Sequence, residues 1–272
     1  MNNEKLREVA TQIRIDIIEM IAQSKSGHPG GSLSCTDILT TLYFDKMNIE
    51  PENPHWEGRD RLVLSKGHAA PALYATLAER GYFDKKHLST LRKYGSILQG
   101  HPDIHSTPGI DMTTGSLGQG LSAANGIALA GKLNKIDYKV YAILGDGEIQ
   151  EGQIWEAAMT SSHYDLDNLV VFIDNNGLQI DGRNEDVKNI YPIDKKFEAF
   201  GWHVINIDGH NFDEIKNALD EAKAAKGKPT VIVAKTVKGK GVSFMENQAS
   251  WHGVAPKPEE KEKALAQLKG DK

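Results

Sequence analysis

Five short apolar runs recur along this chain at intervals that leave room for helices between them, and this alternation constrains the fold more than any other feature. The runs are RLVLS at 61–65, KVYAIL at 139–144, NLVVFID at 168–174, HVINID at 203–208 and TVIVAKT at 230–236. They read as buried strands. Helical spacing fills the gaps near 69–80, 85–94, 118–134, 151–163 and 212–226. Strands alternating with helices make a parallel sheet covered on both faces, so the predicted class is α/β, a single doubly wound parallel sheet. In such sheets ligands collect beyond the carboxyl ends of the strands, which makes the loops after strands the places to look for chemistry.

Ahead of the first run, Val9, Ile13, Ile17, Met20 and Ile21 fall at helical spacing, predicting an amphipathic helix from about Glu4 to Ala22 with Asn2 or Asn3 as its cap. It leads into SKSGHPGGSLS, where three glycines and a proline are expected to forbid regular structure. A new helix begins near Thr36 with Ile38, Leu39, Leu42 and Tyr43 on its apolar face. The tail KPEEKEKALAQLKGDK reads as a short solvated helix or a linker stub. The domain is therefore expected over 1–255, with a charged C-terminal tail over 256–272.

Composition narrows the ligand. With 39% hydrophobic residues in 272, a substantial core is available, and the formal charge of -5 gives no basic field for nucleic acid or an anionic membrane. An anionic ligand would need local cations or a metal. Cys35 is the one cysteine, so no intrachain disulfide can form, and MNNEKLREV lacks the apolar core of a signal peptide. No uncharged apolar run approaches the roughly 18 residues of a membrane span. These features lead to an expectation of a cytoplasmic protein.

Two glycine-rich segments imitate nucleotide motifs. GIALAGKL at 126–133 matches a P-loop until Leu133, where a magnesium-holding Ser or Thr is required. Ala124, Ile127, Ala128, Leu129 and Leu133 instead describe the apolar face of a packed helix. GQGLSA at 118–123 is preceded by TPGIDMTTGSL, which is no strand, and the dinucleotide fingerprint needs strand, turn and helix in that order.

The strand KVYAIL, by contrast, runs directly into GDGEIQEGQIWEAA. Glycines at Gly145 and Gly147 let the backbone approach a phosphate, and the Asp146 carboxylate can hold a hard divalent cation against it. The next strand ends in Asp174, Asn175, Asn176 and Gly177, where Asn176 offers an amide oxygen to the same ion. Between GDG and the asparagine pair lie 27 residues, the length of one helix and one strand. A nicotinamide fingerprint is the competing reading, but Gln150 stands where its third glycine would pack helix on strand.

GDG followed by NN at this spacing resembles the thiamine-diphosphate-binding motif. SGHPGG at 26–31, LSKGHAAPALY at 64–74, QGHPD at 99–103, TTGSLGQGLS at 113–122, GDGEIQEGQIWEA at 145–157, IDNNGLQIDG at 173–182 and SWHG at 250–253 are similar to transketolase blocks in the same order. The resemblance implies the diphosphate-binding (PP) domain of that family and the cofactors thiamine diphosphate and Mg2+, with Ca2+ or Mn2+ as substitutes. By it Asp146, Asn176 and the Leu178 carbonyl would bind the metal, and Gly147 would touch the diphosphate with Glu148 beside it. Gly115, Ser116 and Leu117 would lie against the aminopyrimidine and thiazolium. Glu151 resembles an interface glutamate that links paired active sites.

Of ten histidines, His28, His68, His101 and His252 stand next to glycine in predicted loops, where an imidazole can grip a hydroxyl or shuttle its proton. The resemblance implies that His28 and His101 hold the donor hydroxyl beside the reacting carbon. His68 and His252 would approach the diphosphate, and His252 the substrate as well. The implied activity is transfer of a two-carbon ketol unit from a ketose phosphate to an aldose phosphate in the pentose phosphate pathway. The glutamate that drives the cofactor's amino group into its imino form belongs to a pyrimidine-binding domain absent from this sequence. The expected partner is a C-terminal transketolase subunit carrying that domain, in a homodimer or symmetric heterotetramer. The start methionine and charged tail favour a naturally split enzyme over an expression fragment. Alternatives are the corresponding half of a deoxyxylulose-phosphate synthase or dihydroxyacetone synthase, or a non-catalytic cofactor-binding module.

Overall fold

All five apolar runs form strands of one parallel sheet in the computed structural model, which describes residues 1–270. Helices α1 (Asn3–Ser24), α2 (Pro29–Ser34) and α3 (Thr36–Thr41, continued by a π turn over Leu42–Lys46) precede β1 (Arg61–Leu64). Helices α4 (Ala70–Arg80) and α5 (Gly120–Asn134) connect β1 to β2 (Val140–Gly145), and α6 (Gly152–His163) connects β2 to β3 (Leu169–Asn175). A small hairpin of β4 (Leu178–Gln179) and β5 (Gly182–Arg183) is followed by α7 (Asn184–Val187), α8 (Ile193–Ala199) and β6 (His203–Asp208). Helix α9 (Phe212–Ala224) returns to β7 (Thr230–Lys235), and α10 (Pro258–Lys269) comes last.

The strand order is β1-β2-β3-β7-β6, with every pair parallel. The chain leaves β3, passes to the far edge as β6, and returns between them as β7. The order thus reverses beside β3, and the crevice beyond its carboxyl end is where such a sheet receives a ligand.

Both faces of the sheet are buried, with the period-two alternation of a strand. Leu62, Leu64, Tyr141, Ile143, Val170, Phe172 and Ile232 face a core shared with α1, α3, α4, α9 and α10. Val63, Val140, Ala142, Leu144, Leu169, Val171 and Val231 face a second core with α5, α6 and α8. The first helix is capped by Asn2, whose side chain accepts from the Lys5 amide at 2.8 Å.

Four local expectations differ from the structure. Residues 85–94 make only a 3-10 turn over Lys85–Thr90: Arg92 adopts a positive φ of 61°, its amide donates to Leu98 O, and its guanidinium bonds Ser26 Oγ and Gly100 O. The SKSGHPGGSLS segment is not irregular throughout but contains α2. Pro29 sits at the helix start, where a missing N–H costs nothing, and the glycines serve close packing. A Cβ on Gly30 would come 2.9 Å from Trp251 O, and one on Gly31 would come 3.2 Å from His68 Nε2. Leu133 does not pack; it is 78% exposed in the last turn of α5. The tail is less solvated than expected, because Ala264 and Leu265 of α10 are buried in the core shared with α1. Residues 271–272 of that tail lie outside the described residues.

Where α1 meets α4, Asp16 is buried with one carboxylate oxygen unpartnered. Burial, with the Glu79 carboxylate beside it, pushes the Asp16 carboxyl up to about 7. The folded chain therefore holds a proton that the unfolded chain releases near the ordinary value of 3.8, so stability falls as pH rises from about 4 through 7. Asp16→Asn keeps the oxygen that accepts from Gln12 and offers N–H to Glu79. It is expected to stabilise the chain at pH 8 by on the order of 2 kcal/mol and to make no difference near pH 4. Thermal unfolding of both proteins across that range checks this, and an equal difference at both ends would refute it.

Candidate functional site

Strands β2, β3 and β7 end level, with Gly145 opposite Asp174 and Asn175 opposite Lys235. Their loops open onto one cleft of about 190 Å3, lined by residues that include His68, Leu117, Asp146, Gly147, Glu148, Asn176, Leu178, Lys238 and His252. Its floor is a buried ion pair between Lys66 and Asp174. Asp174 also accepts from Ser34 Oγ and Thr236 Oγ1, and Lys66 donates to Gly31 O as well. Against burial, which works the other way, Lys66 holds the Asp174 carboxyl below its ordinary value.

Asp146 is 2% exposed, and its two oxygens accept from the amides of Gly147 at 2.8 Å and Gly177 at 2.5 Å. Gly177 has φ of 78°, a left-handed conformation that suits glycine and turns its N–H toward Asp146. This contact ties the β3 loop to the β2 loop. Asn176 Oδ1 accepts from the Leu178 amide at 3.2 Å, and the Leu178 carbonyl faces Lys238 Nζ at 3.3 Å.

These residues fit a hard dication and a diphosphate. Burial, reinforced by Asp174, pushes the Asp146 carboxyl up to about 6, a cost that a neighbouring dication would relieve. The donor set is a carboxylate, an amide and a carbonyl, all oxygen, as magnesium or calcium prefers. Among the described residues no cluster of three or more His, Cys, Asp or Glu side chains suits a metal, so any ion here would rely on neutral oxygens and on the ligand's own. Lys238 supplies the matching cation. It is 2% exposed, no carboxylate pairs with it among the described residues, and burial lowers it to about 8 despite Asp146. A buried ammonium aimed into a cleft without an ion-pair partner suits an anionic ligand.

Three histidine rings close one side. His28, His68 and His252 lie with centroids 5.1–5.5 Å apart, and His252 Nδ1 is 3.0 Å from Lys238 Nζ. Burial and nearby cations lower His28 to about 4, His252 to about 3 and His68 well below its ordinary value. All three are therefore neutral at pH 7, able to donate and accept hydrogen bonds without adding charge. His28 Nδ1 is buried without a partner. His101 is more exposed and is not among the residues lining the cleft; its ring lies against Gly115, where a Cβ would come 3.0 Å from it.

Glu148 lines the cleft, and Ser116 lies beside it. The Glu148 carboxylate turns inward, accepting from the amides of Gly118 and Gly145 at 3.0 Å and from Ser65 Oγ. It fastens three loops of the cleft, which it also lines. Ser116 lines a neighbouring recess with Met112 and Gln119. Glu151 stands exposed at the rim against Gly118. Lys238 was absent from the expected site, although KTVKGKG follows the last strand, where a ligand cation is to be sought.

Residues 5–270 match the family model described as transketolase, thiamine diphosphate binding domain. The chain is 50% identical over 263 residues to the 6-deoxy-6-sulfo-D-fructose transketolase subunit of Clostridium sp. (strain MSTE9), covering 97% of this chain and 96% of that protein. It is 43% identical to an apulose-4-phosphate transketolase subunit from Phocaeicola vulgatus, over 98% and 95% of the two chains. Among solved structures, transketolase from Campylobacter jejuni superposes with a TM-score of 0.93 at 37% identity, covering 99% of this chain but 43% of that one. The chain belongs to the transketolase family of thiamine-diphosphate-dependent transferases, as a thiamine diphosphate binding domain.

Proposed function

We propose that this chain is the diphosphate-binding subunit of a split transketolase, and that it moves a two-carbon ketol unit from a ketose to an aldose once a pyrimidine-domain partner completes its site. The observation that carries the reading is the meeting of Asp146, Asn176, Leu178 and Lys238 in one cleft at the level ends of β2, β3 and β7. Support comes from relatives of nearly the same length that are named as transketolase subunits.

In this reading Asp146, Asn176 and the Leu178 carbonyl hold magnesium, and Lys238, His68 and the Gly147 backbone receive the diphosphate. Gly115, Ser116 and Leu117 lie toward the rings. Bound thiamine diphosphate supplies a carbanion-forming carbon that accepts and releases the two-carbon unit. His28, His101 and His252 then orient the donor hydroxyls and carry protons on and off their oxygens. The cleft's 190 Å3 is below the ~300–1,000 Å3 of a complete small-molecule site, which supports a second chain over the rings. The partner carries the imino-forming glutamate, and the assembly is a heterotetramer. The relatives' names mention 6-deoxy-6-sulfo-D-fructose and apulose 4-phosphate, so the donor is best taken as a ketose with an anionic tail, outside the pentose phosphate pathway.

His101→Ala in the complete complex is expected to lower kcat about 10–100-fold while changing cofactor Kd less than about threefold, because this ring serves the substrate hydroxyl. Steady-state kinetics with a cofactor titration separates the two effects. Normal turnover with weakened cofactor binding would reverse the role.

A further inference from the structure

Behind the cleft, four groups form an unbroken line from α1 to the loop that carries Lys238. Arg14 Nη1 and Nη2 donate to the two oxygens of Asp37 at 2.9 and 2.7 Å, a forked ion pair that is 7% and 4% exposed. Against burial, Arg14 and then His210 hold the Asp37 carboxyl at about 2. Asp37 Oδ2 lies 2.7 Å from His210 Nδ1, and His210 Nε2 lies 2.9 Å from the Val237 amide, which donates to it. Because Nε2 accepts, the ring's proton must sit on Nδ1 and point at the carboxylate. The tautomer is fixed at both ends.

Val237 immediately precedes Lys238, and the loop is anchored on its other side by Gly239 N donating to Gly30 O at 3.0 Å. Between these two anchors Lys238 lines the cleft, with its Nζ 3.3 Å from the Leu178 carbonyl and 3.0 Å from His252 Nδ1. The approach is tight on the histidine's side as well, since a Cβ on Gly209 would come 2.5 Å from Thr236 Cγ2.

We propose that His210 is a positioning residue for cofactor binding, an Asp37-oriented imidazole that fixes the backbone at Val237 and so aims the Lys238 ammonium at the diphosphate. The inference rests on the reading of the cleft as a diphosphate site. His210 touches neither cofactor nor substrate; its whole effect passes through Lys238.

The test is a double-mutant cycle on the full chain in complex with a partner that carries the pyrimidine-binding domain, titrated calorimetrically with thiamine diphosphate in magnesium buffer. His210→Phe, which fills the volume but leaves the Val237 amide unpaired, is expected to weaken binding about fivefold to tenfold. In a Lys238→Met background the same change should cost less than about twofold, because there is no ammonium left to aim. His210→Gln, whose amide oxygen can accept from Val237 and whose N–H can reach Asp37, should recover most of the loss. Should His210→Phe fail to fold, the Gln variant and the 15N shifts of the wild-type His210 ring carry the test, with a protonated Nδ1 required. An unchanged affinity in His210→Phe, a full additional loss on top of Lys238→Met, or a ring protonated on Nε2 overturns the proposal while leaving the cleft's assignment standing. A wild-type complex that binds no thiamine diphosphate in magnesium overturns both.

Discussion

Asp146→Asn is expected to abolish magnesium-dependent binding of thiamine diphosphate, raising Kd by on the order of a hundredfold or more. Asp146 is the one carboxylate in the proposed ligand set, so its neutral replacement leaves a dication facing only an amide, a carbonyl and the diphosphate itself. The substitution also acts on the fold of the site. Both carboxylate oxygens accept backbone amides, from Gly147 and Gly177, and an asparagine must turn its own N–H toward one of them. That buried donor-to-donor contact costs about 1–3 kcal/mol and loosens the junction between the β2 and β3 loops. The variant is therefore expected to unfold a few degrees early and to lose its metal response entirely, whereas Lys238→Met should weaken binding yet leave it magnesium-dependent. Calorimetry in magnesium and in chelator makes the distinction, and an unchanged affinity in Asp146→Asn would remove the metal assignment.

The sheet was legible in the sequence because buried parallel strands leave short apolar runs that periodicity detects, and all five appear where KVYAIL and its counterparts predict them. The pairing of GDG with the asparagines was legible too, since consecutive strands with one crossover helix become neighbours and place Asp146 and Asn176 side by side. What escaped depends on tertiary contacts that leave no periodic trace. Helix α2 was hidden because Gly30 and Gly31 are poor helix formers by propensity, yet packing against Trp251 and His68 requires their missing side chains. The inward turn of Glu148 depends on Ser65 and Gly118, distant in sequence, and on unpaired amides that only the folded loops bring together. Lys238 was passed over among 32 basic residues because its character comes from burial without a carboxylate partner.

The second large effect concerns activity. The chain by itself is expected to show no ketol transfer and only weak cofactor affinity, and a partner carrying the pyrimidine-binding domain is expected to restore both. In the proposed reading a metal, Lys238 and the Gly147 backbone hold a diphosphate from this side, but the cleft is small, and Leu117 and Ile180 stand 38% and 66% exposed among its lining residues. Apolar groups in that position suit burial under another chain. In the proposed reading the partner supplies the imino-forming glutamate, so a cofactor bound by this chain alone should remain inert rather than turn over slowly. The most direct measurement mixes this chain, in varied ratio, with a transketolase subunit that carries the pyrimidine-binding domain, and follows two-carbon transfer from a ketose phosphate or sulfonate to an aldose phosphate. Activity that is absent from each chain alone and saturates at one to one is the predicted result; robust transfer by this chain alone would contradict the account.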